Sequence, residues 1–510
     1  MNERLSPVQV RLALLFTAVF SALAHGYRYL SLSFSGDGML ISQVGEEAYQ
    51  TSLGRFMQPV YWQIRGYITM PLTIGLFATL FLFLSALLII RMLGAKKPLS
   101  IALICGILTA NETMAVSNAT YLPWTDVYAL ALLLSLLGVY AFRHMRYGIF
   151  LCPIFYCLSL GLYQSHLPAA STMLILLFLM DVLRGEKPQR VWSRGILSCV
   201  TLVAGLLLYA LALKFSLTFV DVQASQDYNG VGRVGLMPLS EVPALLLGTF
   251  IDPLRLLFSL SDKPVMTWHI TTVPQVLNIA LFSLGALLLV LRLRHMRAGQ
   301  ILTCIFLLLV LPLGMNFIQF ISKGISSGLT IYAYNLAYLL PLALCMQEAD
   351  VPAAPRVSKI ADCGVHVLLI LFLALNIRTS NVMAFKRDLE FSATTAAMSR
   401  LLDEASRTEG YVPGETPVVL LGMLPSSAIS MERPGFEEIA RAQGMRYTYG
   451  ASYETSTYWY LEMALGEPIN LVSHEERQRL SEHPEAASLA QYPYDGFCRM
   501  IDGYLFIRIS

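Results

Sequence analysis

Pro71-Leu-Thr-Ile-Gly-Leu-Phe-Ala-Thr-Leu-Phe-Leu-Phe-Leu-Ser-Ala-Leu-Leu-Ile-Ile90 contains no charged residue and is closed by Arg91. Wound as a helix at about 1.5 Å per residue, this stretch matches the ~30 Å hydrocarbon core of a bilayer. Similar runs recur along the chain. With this one placed at 68–91, spans are expected at about 8–29, 99–115, 125–142, 148–164, 168–184, 195–214, 274–292, 300–322, 330–347 and 361–377. The fold class that follows is a membrane protein, an all-α polytopic bundle of about eleven transmembrane helices. Composition agrees, since 55% of the residues are hydrophobic and 14% are charged, against about 25% charged in soluble domains. A net charge of +2 gives no reason to expect nucleic acid as a partner.

Short loops set the orientation. Basic residues gather at Arg4 and Arg11, at Arg91, Lys96 and Lys97, and at Arg143 and Arg146. They gather again at Arg184, Lys187, Arg190 and Arg194, at Arg292, Arg294 and Arg297, and at Arg356 and Lys359. Each group falls on every second connection, which puts the N-terminus in the cytoplasm. An odd number of crossings then leaves the C-terminal part outside. The first apolar run has no small-residue cleavage site after it and is expected to stay as the first helix.

Residues 1–378 form the membrane domain, with large outer loops at about 30–67 and 215–273. Residues 379–510 read as a small extracytoplasmic α/β domain. That tail opens on a helical pattern over about 382–406, in which Met383, Leu389, Ala397 and Leu401 recur at helix spacing. Val418-Val-Leu-Leu-Gly422 reads as a buried strand. Asp502-Gly503, between two apolar-rich runs, is the signal of a tight hairpin. Seven cysteines (Cys105, Cys152, Cys157, Cys199, Cys304, Cys345 and Cys363) lie in or beside apolar runs without metal-ligand spacing and read as packing. Cys498 stands alone in the tail, so no internal disulfide is available there.

Chemistry is sought in the outer loops, because the cytoplasmic connections are short and merely basic. Ser35-Gly36-Asp37-Gly38 follows the first span directly. The glycines permit a sharp turn and close approach, and Asp37 fits either an Asx turn or an acid at the membrane surface. Glu46 and Glu47, with Met39, Leu40, Ile41, Val44 and Ala48, suggest an amphipathic helix on the interface, with the acids either solvated or functional. Arg55 and Arg65 suit a phosphate through their planar forks, although arginines also anchor helices at interfaces. Lys214 and Lys323, at outer helix ends, share that ambiguity. Asp126 begins the fourth span, where a helix N-terminus favours a carboxylate. Tyr163, Gln164 and His166 stand at the outer end of the fifth span, able to meet sugar hydroxyls or to cap the helix. His25 and His366 lie in apolar segments and read as packing. No nucleotide-binding glycine motif, Ser-His-Asp signature or metal spacing occurs.

Several of these phrases together resemble the serotype-converting O-antigen glucosyltransferases and their bacterial relatives, membrane glycosyltransferases of the GT-C class. The likeness rests on Ser35-Gly36-Asp37-Gly38, Leu53-Gly54-Arg55-Phe56, Leu158-Ser-Leu-Gly-Leu-Tyr-Gln-Ser165 and the ending Tyr492-Pro-Tyr-Asp-Gly496. Asp126 and Tyr128, ahead of Ala129-Leu-Ala-Leu-Leu-Leu134, add to it. Two departures stand out: a single acid between glycines where the family often has two adjacent acids, and Phe56 where tryptophan is more usual.

The resemblance implies a multi-pass protein of the bacterial inner (cytoplasmic) membrane. It implies a polyprenyl-phosphate sugar, typically glucosyl undecaprenyl phosphate, as donor and a surface polysaccharide or glycolipid as acceptor. Asp37 would be the catalytic base of an inverting transfer, with Glu46, Glu47 and Asp126 as acidic helpers. Arg55, Arg65, Lys214 and Lys323 would meet the donor phosphate, and Tyr163, Gln164 and His166 the sugar or acceptor. No cofactor is called for, and the chemistry requires no metal. A polyprenyl-phosphate glucosyl synthase and a flippase would be its functional partners. The rival readings are a polysaccharide ligase or polymerase, and a lipid or sugar transporter. An odd helix count, the lack of a visible repeat and the outer domain weigh against transport.

Overall fold

The computed structural model describes residues 5–33, 40–225, 238, 240–258, 273–321, 328–347, 355–422, 434–435, 437, 439, 461–462 and 465–509. α1 (Pro7–Leu30) begins at a capping box in which Ser6 and Gln9 satisfy each other's backbone N–H groups. A loop carrying α2 (Glu47–Ser52) and α3 (Met57–Arg65) leads to α4 (Pro71–Leu93). Next come α5 (Pro98–Thr109) and α6 (Glu112–Thr120), bent by 41° to each other. They are followed by α7 (Thr125–His144), α8 (Gly148–Leu162), α9 (Leu167–Leu183) and α10 (Pro188–Val220). α11 (Val242–Phe258), α12 (Val273–Leu293), α13 (Ala298–Ile321), α14 (Tyr332–Asn335) and α15 (Leu339–Met346) complete the bundle up to the long α16 (Pro355–Ser406).

The helices are apolar on both faces. On α4, Ile74, Ala78 and Leu82 are fully buried, while Leu72, Leu76 and Leu80 are 54%, 64% and 44% exposed. An exposed stripe as apolar as the buried one has lipid as its natural solvent. Among the described residues eight helices are long and apolar enough to cross a membrane, or nine if the bent α5–α6 pair is one span. The spans expected at 148–164 and 330–347 fall on shorter apolar helices, so length and composition give fewer crossings than eleven. Backbone breaks account for the shortness. Tyr163 turns extended at the end of α8, and a 3₁₀ turn, Leu336–Tyr338, separates α14 from α15.

Helix approach depends on small residues, as is usual where lipid supplies no hydrophobic drive. Tyr156 of α8 lies between Gly138 of α7 and Gly205 of α10. A Cβ would fall 2.3 Å from Tyr156 Cε1 at the first glycine and 2.8 Å from Tyr156 Cβ at the second. Ser135 and Ser159 close the same α7–α8 seam with an Oγ–Oγ hydrogen bond of 2.9 Å.

The last expected span (361–377) and the expected helix over 382–406 are one element. No glycine or proline stands between Val365 and Ser406, so nothing interrupts the i→i−4 ladder. α16 packs its first half among α1 and α12, and its second half is the core of the C-terminal domain. There β1 (Pro417–Leu421) runs parallel to β2 (Asn470–Leu471) and to β4 (Tyr504–Arg508), and β3 (Cys498–Ile501) pairs antiparallel with β4, giving the order β2-β1-β4-β3. Strand alternation sorts the faces. Val418, Leu420, Leu505 and Ile507 meet Ala397, Met398, Leu401 and Ala405 of α16. Val419 and Phe506 pack with Ala486 and Leu489, in and after α18 (Pro484–Ser488), which follows α17 (His474–Ser481). The Asp502-Gly503 turn has φ of 49° and 82°, both positive as a type I′ hairpin demands.

Gly138→Val should overpack the seam against Tyr156 and cost about 1–3 kcal/mol. The readout is a lower melting temperature of the purified protein in detergent. An unchanged value would contradict the packing described.

Candidate functional site

Among the described residues, the loop between α1 and α4 is fastened to the bundle at two places. The expected amphipathic helix around Leu40–Ala48 is not what forms. Gln43 N donates to Tyr67 O at 2.8 Å, Thr69 N donates to Ile41 O at 2.7 Å, and Ser42 bridges Ile68 in antiparallel fashion. Gly45, at φ +90°, turns the chain before α2 starts. That left-handed turn ends any helix there, and Leu40 is buried through strand-like pairing instead. Glu46 precedes α2 and Glu47 lies in its first turn. Partial burial, with Glu47 nearby, raises the Glu46 carboxyl above its usual value, opposed by a hydrogen bond from Gln50.

The first fastening is an ion pair inside the protein. Arg65 Nη1 lies 3.4 Å from Asp126 Oδ1, and both side chains have no exposure. Arg65 also donates to Gln43 Oε1 (2.8 Å), Pro123 O (2.9 Å) and Gly66 O (3.1 Å). Asp126 accepts from Tyr61 Oη at 2.8 Å and from Val127 N at 3.0 Å. Gln43 donates onward to Leu40 O and Thr69 Oγ1. Every group in this knot has a partner, the condition under which a buried pair is tolerable.

The second fastening joins two phrases singled out in the sequence. Gly54 (φ +82°) lies so close to α10 and the end of α8 that a Cβ would sit 2.3 Å from Tyr209 Oη and 2.7 Å from Gln164 Nε2. Gln164 donates to Leu53 O (2.9 Å) and Tyr209 Oη (3.1 Å), and Tyr209 Oη donates to Gly54 O at 3.0 Å. Phe56 rests on Gly161, where a Cβ would fall 2.7 Å from its Cζ. Gln58 Nε2 donates to Leu162 O at 2.8 Å. Arg55, 8% exposed, donates to Gln50 Oε1 at 3.2 Å and stands 5.1 Å over the Tyr163 ring. Tyr163 packs on Tyr128 (4.4 Å between centroids), and His166 lies buried among Tyr128, Tyr163 and Tyr332.

The structure thus gathers Arg55, Tyr163, Gln164 and His166 in one place and Arg65 with Asp126 beside it. Lys214 is exposed on α10, one turn beyond Tyr209. Asp37 and Lys323 lie outside the described residues.

Sequence reasoning missed a charged joint between α1 and α16. Arg28, 2% exposed, donates to Asn118 O (2.9 Å) and Ser31 O (3.3 Å). Asp388 accepts from Ser31 Oγ at 2.5 Å and from Tyr27 Oη. Arg387, fully buried, pairs with Glu390 at 2.6 Å, and Lys386 Nζ lies 4.0 Å from the same carboxylate. The signal was the run Lys386-Arg-Asp-Leu-Glu390 on a helical pattern just past the last apolar segment. Glu112, in the first turn of α6, is a further acid, lining a small cavity with Thr113, Asn278, Tyr334, Asn335 and Tyr338. Among the described residues one group has metal-ligand proximity: Cys345, Asp362 and His366, whose ligand atoms lie within 4.8 Å of one another. Asp362 is 24 residues before Lys386 on the same helix, hence about 36 Å away.

Fold and site together define a multipass helical membrane protein with a polar, ion-paired loop face at one end of the bundle. The family model described as glucosyl transferase GtrII matches residues 10–341, well over half of the chain, and the chain belongs to that family. The match takes in all the phrases behind the resemblance except the ending Tyr492–Gly496. No curated protein and no solved structure matches the chain. The family is one of glucosyl transferases, which supports a glycosyltransferase activity here.

Removing one partner of the buried pair should be far worse than removing both. Asp126→Leu leaves Arg65 buried and uncompensated, a loss of about 3–5 kcal/mol, and should abolish monodisperse protein on size-exclusion chromatography. Asp126→Leu with Arg65→Met should recover much of the folded yield. Equal behaviour of the single and double variants would contradict the pairing.

Proposed function

We propose that this protein is a GT-C-type glycosyltransferase that moves a glucosyl unit from a polyprenyl-phosphate donor to a surface polysaccharide or glycolipid. The reaction takes place at the outer face of the bacterial cytoplasmic membrane, with the N-terminus inside and the C-terminal domain outside. The family match supports glucosyl transfer over the ligase, polymerase and transporter readings. The observation that carries the location of the site is the lock between Leu53–Phe56 and Gly161–Gln164. It holds the cation Arg55, against an aromatic wall, on the loop that also carries Asp37.

Asp37 is the base. Its carboxylate takes the proton of an acceptor hydroxyl while that oxygen bonds to the anomeric carbon from the face opposite the phosphate. The C1–O bond to phosphate breaks, its electron pair leaves with polyprenyl phosphate, and the configuration inverts. A phosphate is already a good leaving group, so what it needs is positive charge rather than a proton. Arg55 supplies that charge from the loop. Arg65, whose donors are taken up by Asp126, Gln43 and two carbonyls, serves by holding the loop in place. Lys214 and Lys323 are further cations for the donor headgroup. Tyr163, Gln164 and His166 form and brace the wall beside the sugar, and Glu46 and Glu47 are the acids nearest in sequence to Asp37.

Asp37→Asn keeps size and most hydrogen bonding but cannot accept the proton. Glucosyl transfer by the purified variant from a polyprenyl-phosphate glucose should fall about 10²–10⁴-fold, with donor binding retained. Near-normal turnover would sink the assignment and make Glu46 and Glu47 the acids to test.

A further inference from the structure

We propose that Cys345 of α15 and Asp362 and His366 of α16 form a binding site for a divalent transition-metal ion, zinc by its ligand set, at the end of the bundle opposite the loop face. The site lies outside the family-matched segment and takes no part in the glucosyl transfer proposed above.

Three observations carry it. First, the donors converge from two helices. The Cys345 sulfur, a carboxylate oxygen of Asp362 and a ring nitrogen of His366 all lie within 4.8 Å of one another. Asp362 and His366 stand at i and i+4, one above the other on the same face of α16. Cys345 comes from the last turn of α15. Zinc bonds of about 2.0–2.3 Å put tetrahedral ligand atoms about 3.5 Å apart, so the three have to close by only about an ångström. Sulfur, nitrogen and oxygen together suit zinc, whereas magnesium and calcium take oxygen alone. Ligands shared between two helices also explain why no local spacing announces them.

Second, a buried ligand atom is under-satisfied. Asp362 Oδ1 is sealed from solvent, and apart from the neighbouring Cys345 thiol no hydrogen-bond donor reaches it among the described residues. Such an oxygen is costly to bury, and a cation at this point would satisfy it. His366 is aimed at the same turn. Its Nδ1 donates to Asp362 O at 2.7 Å and lies 3.8 Å from Asp362 Oδ1. A carbonyl held by one ring nitrogen is the usual device that fixes the tautomer and orientation of a ligating histidine.

Third, the charges can close. Two cations bear on the cluster, Arg292 at the end of α12 and Lys97 before α5. Arg292 engages its fork with Gln347 Oε1 (2.6 Å), Leu344 O (2.6 Å) and Gln347 O (3.0 Å), where it caps the C-terminal end of α15. On metal binding the Cys345 S–H bond breaks, the proton leaves to water, and the sulfur electron pair forms the bond to the ion. Thiolate and carboxylate then cancel its two positive charges. In the orientation proposed above this end faces the cytoplasm, where a thiol stays reduced.

The test uses the full-length protein without a polyhistidine tag, stripped of metal in detergent and titrated with zinc, then with cobalt(II) as a spectroscopic probe. About one zinc per chain should bind, and cobalt should give a sulfur-to-metal charge-transfer band. Cys345→Ser should abolish the band and weaken zinc binding more than about 100-fold, beyond the loss typical of an outer-sphere partner. His366→Gln should weaken zinc binding to a similar degree. Cys363→Ser, which removes an exposed thiol beside Asp362, should change neither readout. Melting temperatures of the metal-free variants should stay near that of the metal-free parent. Substoichiometric binding by the parent, or parent-like affinity in both Cys345→Ser and His366→Gln, would overturn the site. A band lost in Cys363→Ser and kept in Cys345→Ser would place the metal on the exposed thiol and overturn it as well. Each of these results leaves the transferase reading untouched.

Discussion

Arg65 and Asp126 neutralise each other in a part of the protein that water does not reach, and the first loop hangs from that pair. Neither charge is sustainable alone at zero exposure. Together, with Tyr61, Gln43, Val127 N and the Pro123 carbonyl, they form a closed set in which each polar group is satisfied. The pair ties the end of α3 to the start of α7. Through Gln43 it also fixes the short antiparallel pairing that leads Leu40 toward the end of α1.

From this anchor the remaining features of the loop face follow by contact. Tyr128, two residues past Asp126, stacks with Tyr163, and Tyr163 carries Arg55 above it. Gln164 and Tyr209 grip the backbone at Leu53 and Gly54, where nothing larger than hydrogen would fit. On the other flank, α16 brings Lys386, Arg387 and Glu390 to the end of α1 and then runs on into the sheet domain. Among the described residues, bundle and domain share α16, and the first loop reaches the same core through Ile41.

The membrane class was plain in the sequence, because uncharged runs such as Pro71–Ile90 have no other stable environment. The hairpin at Asp502-Gly503 was equally legible, since positive φ at two successive positions selects those residue types. The number of crossings was not. Length is the signal for a span, and the helices at 148–162 and 332–346 are cut short by an extended Tyr163 and by a 3₁₀ turn that hydropathy does not register. The amphipathic helix expected around Leu40–Ala48 lost to backbone pairing with Tyr67 and Thr69, a contact between segments some 25 residues apart that no local pattern encodes. Arg55, Gln164 and their neighbours were singled out because family-like phrases mark them. The joint at Lys386–Glu390 was passed over because a charged run after a span looks like a solvated helix face. Only the approach of α1, with Arg28 and Ser31, turns that run inward.

The central claim of the proposed function is that the donor's phosphate and anomeric carbon lie at the end of the bundle where the first loop is locked to α8 and α10. The most direct measurement is an electron cryomicroscopy structure of the full-length protein in lipid nanodiscs with a non-transferable polyprenyl-phosphate glucose analogue. The account predicts phosphate density beside Arg55 on the loop, with the sugar facing Asp37. Density at the opposite end of the bundle, near Cys345 and Asp362, or wholly within the C-terminal domain, would contradict it.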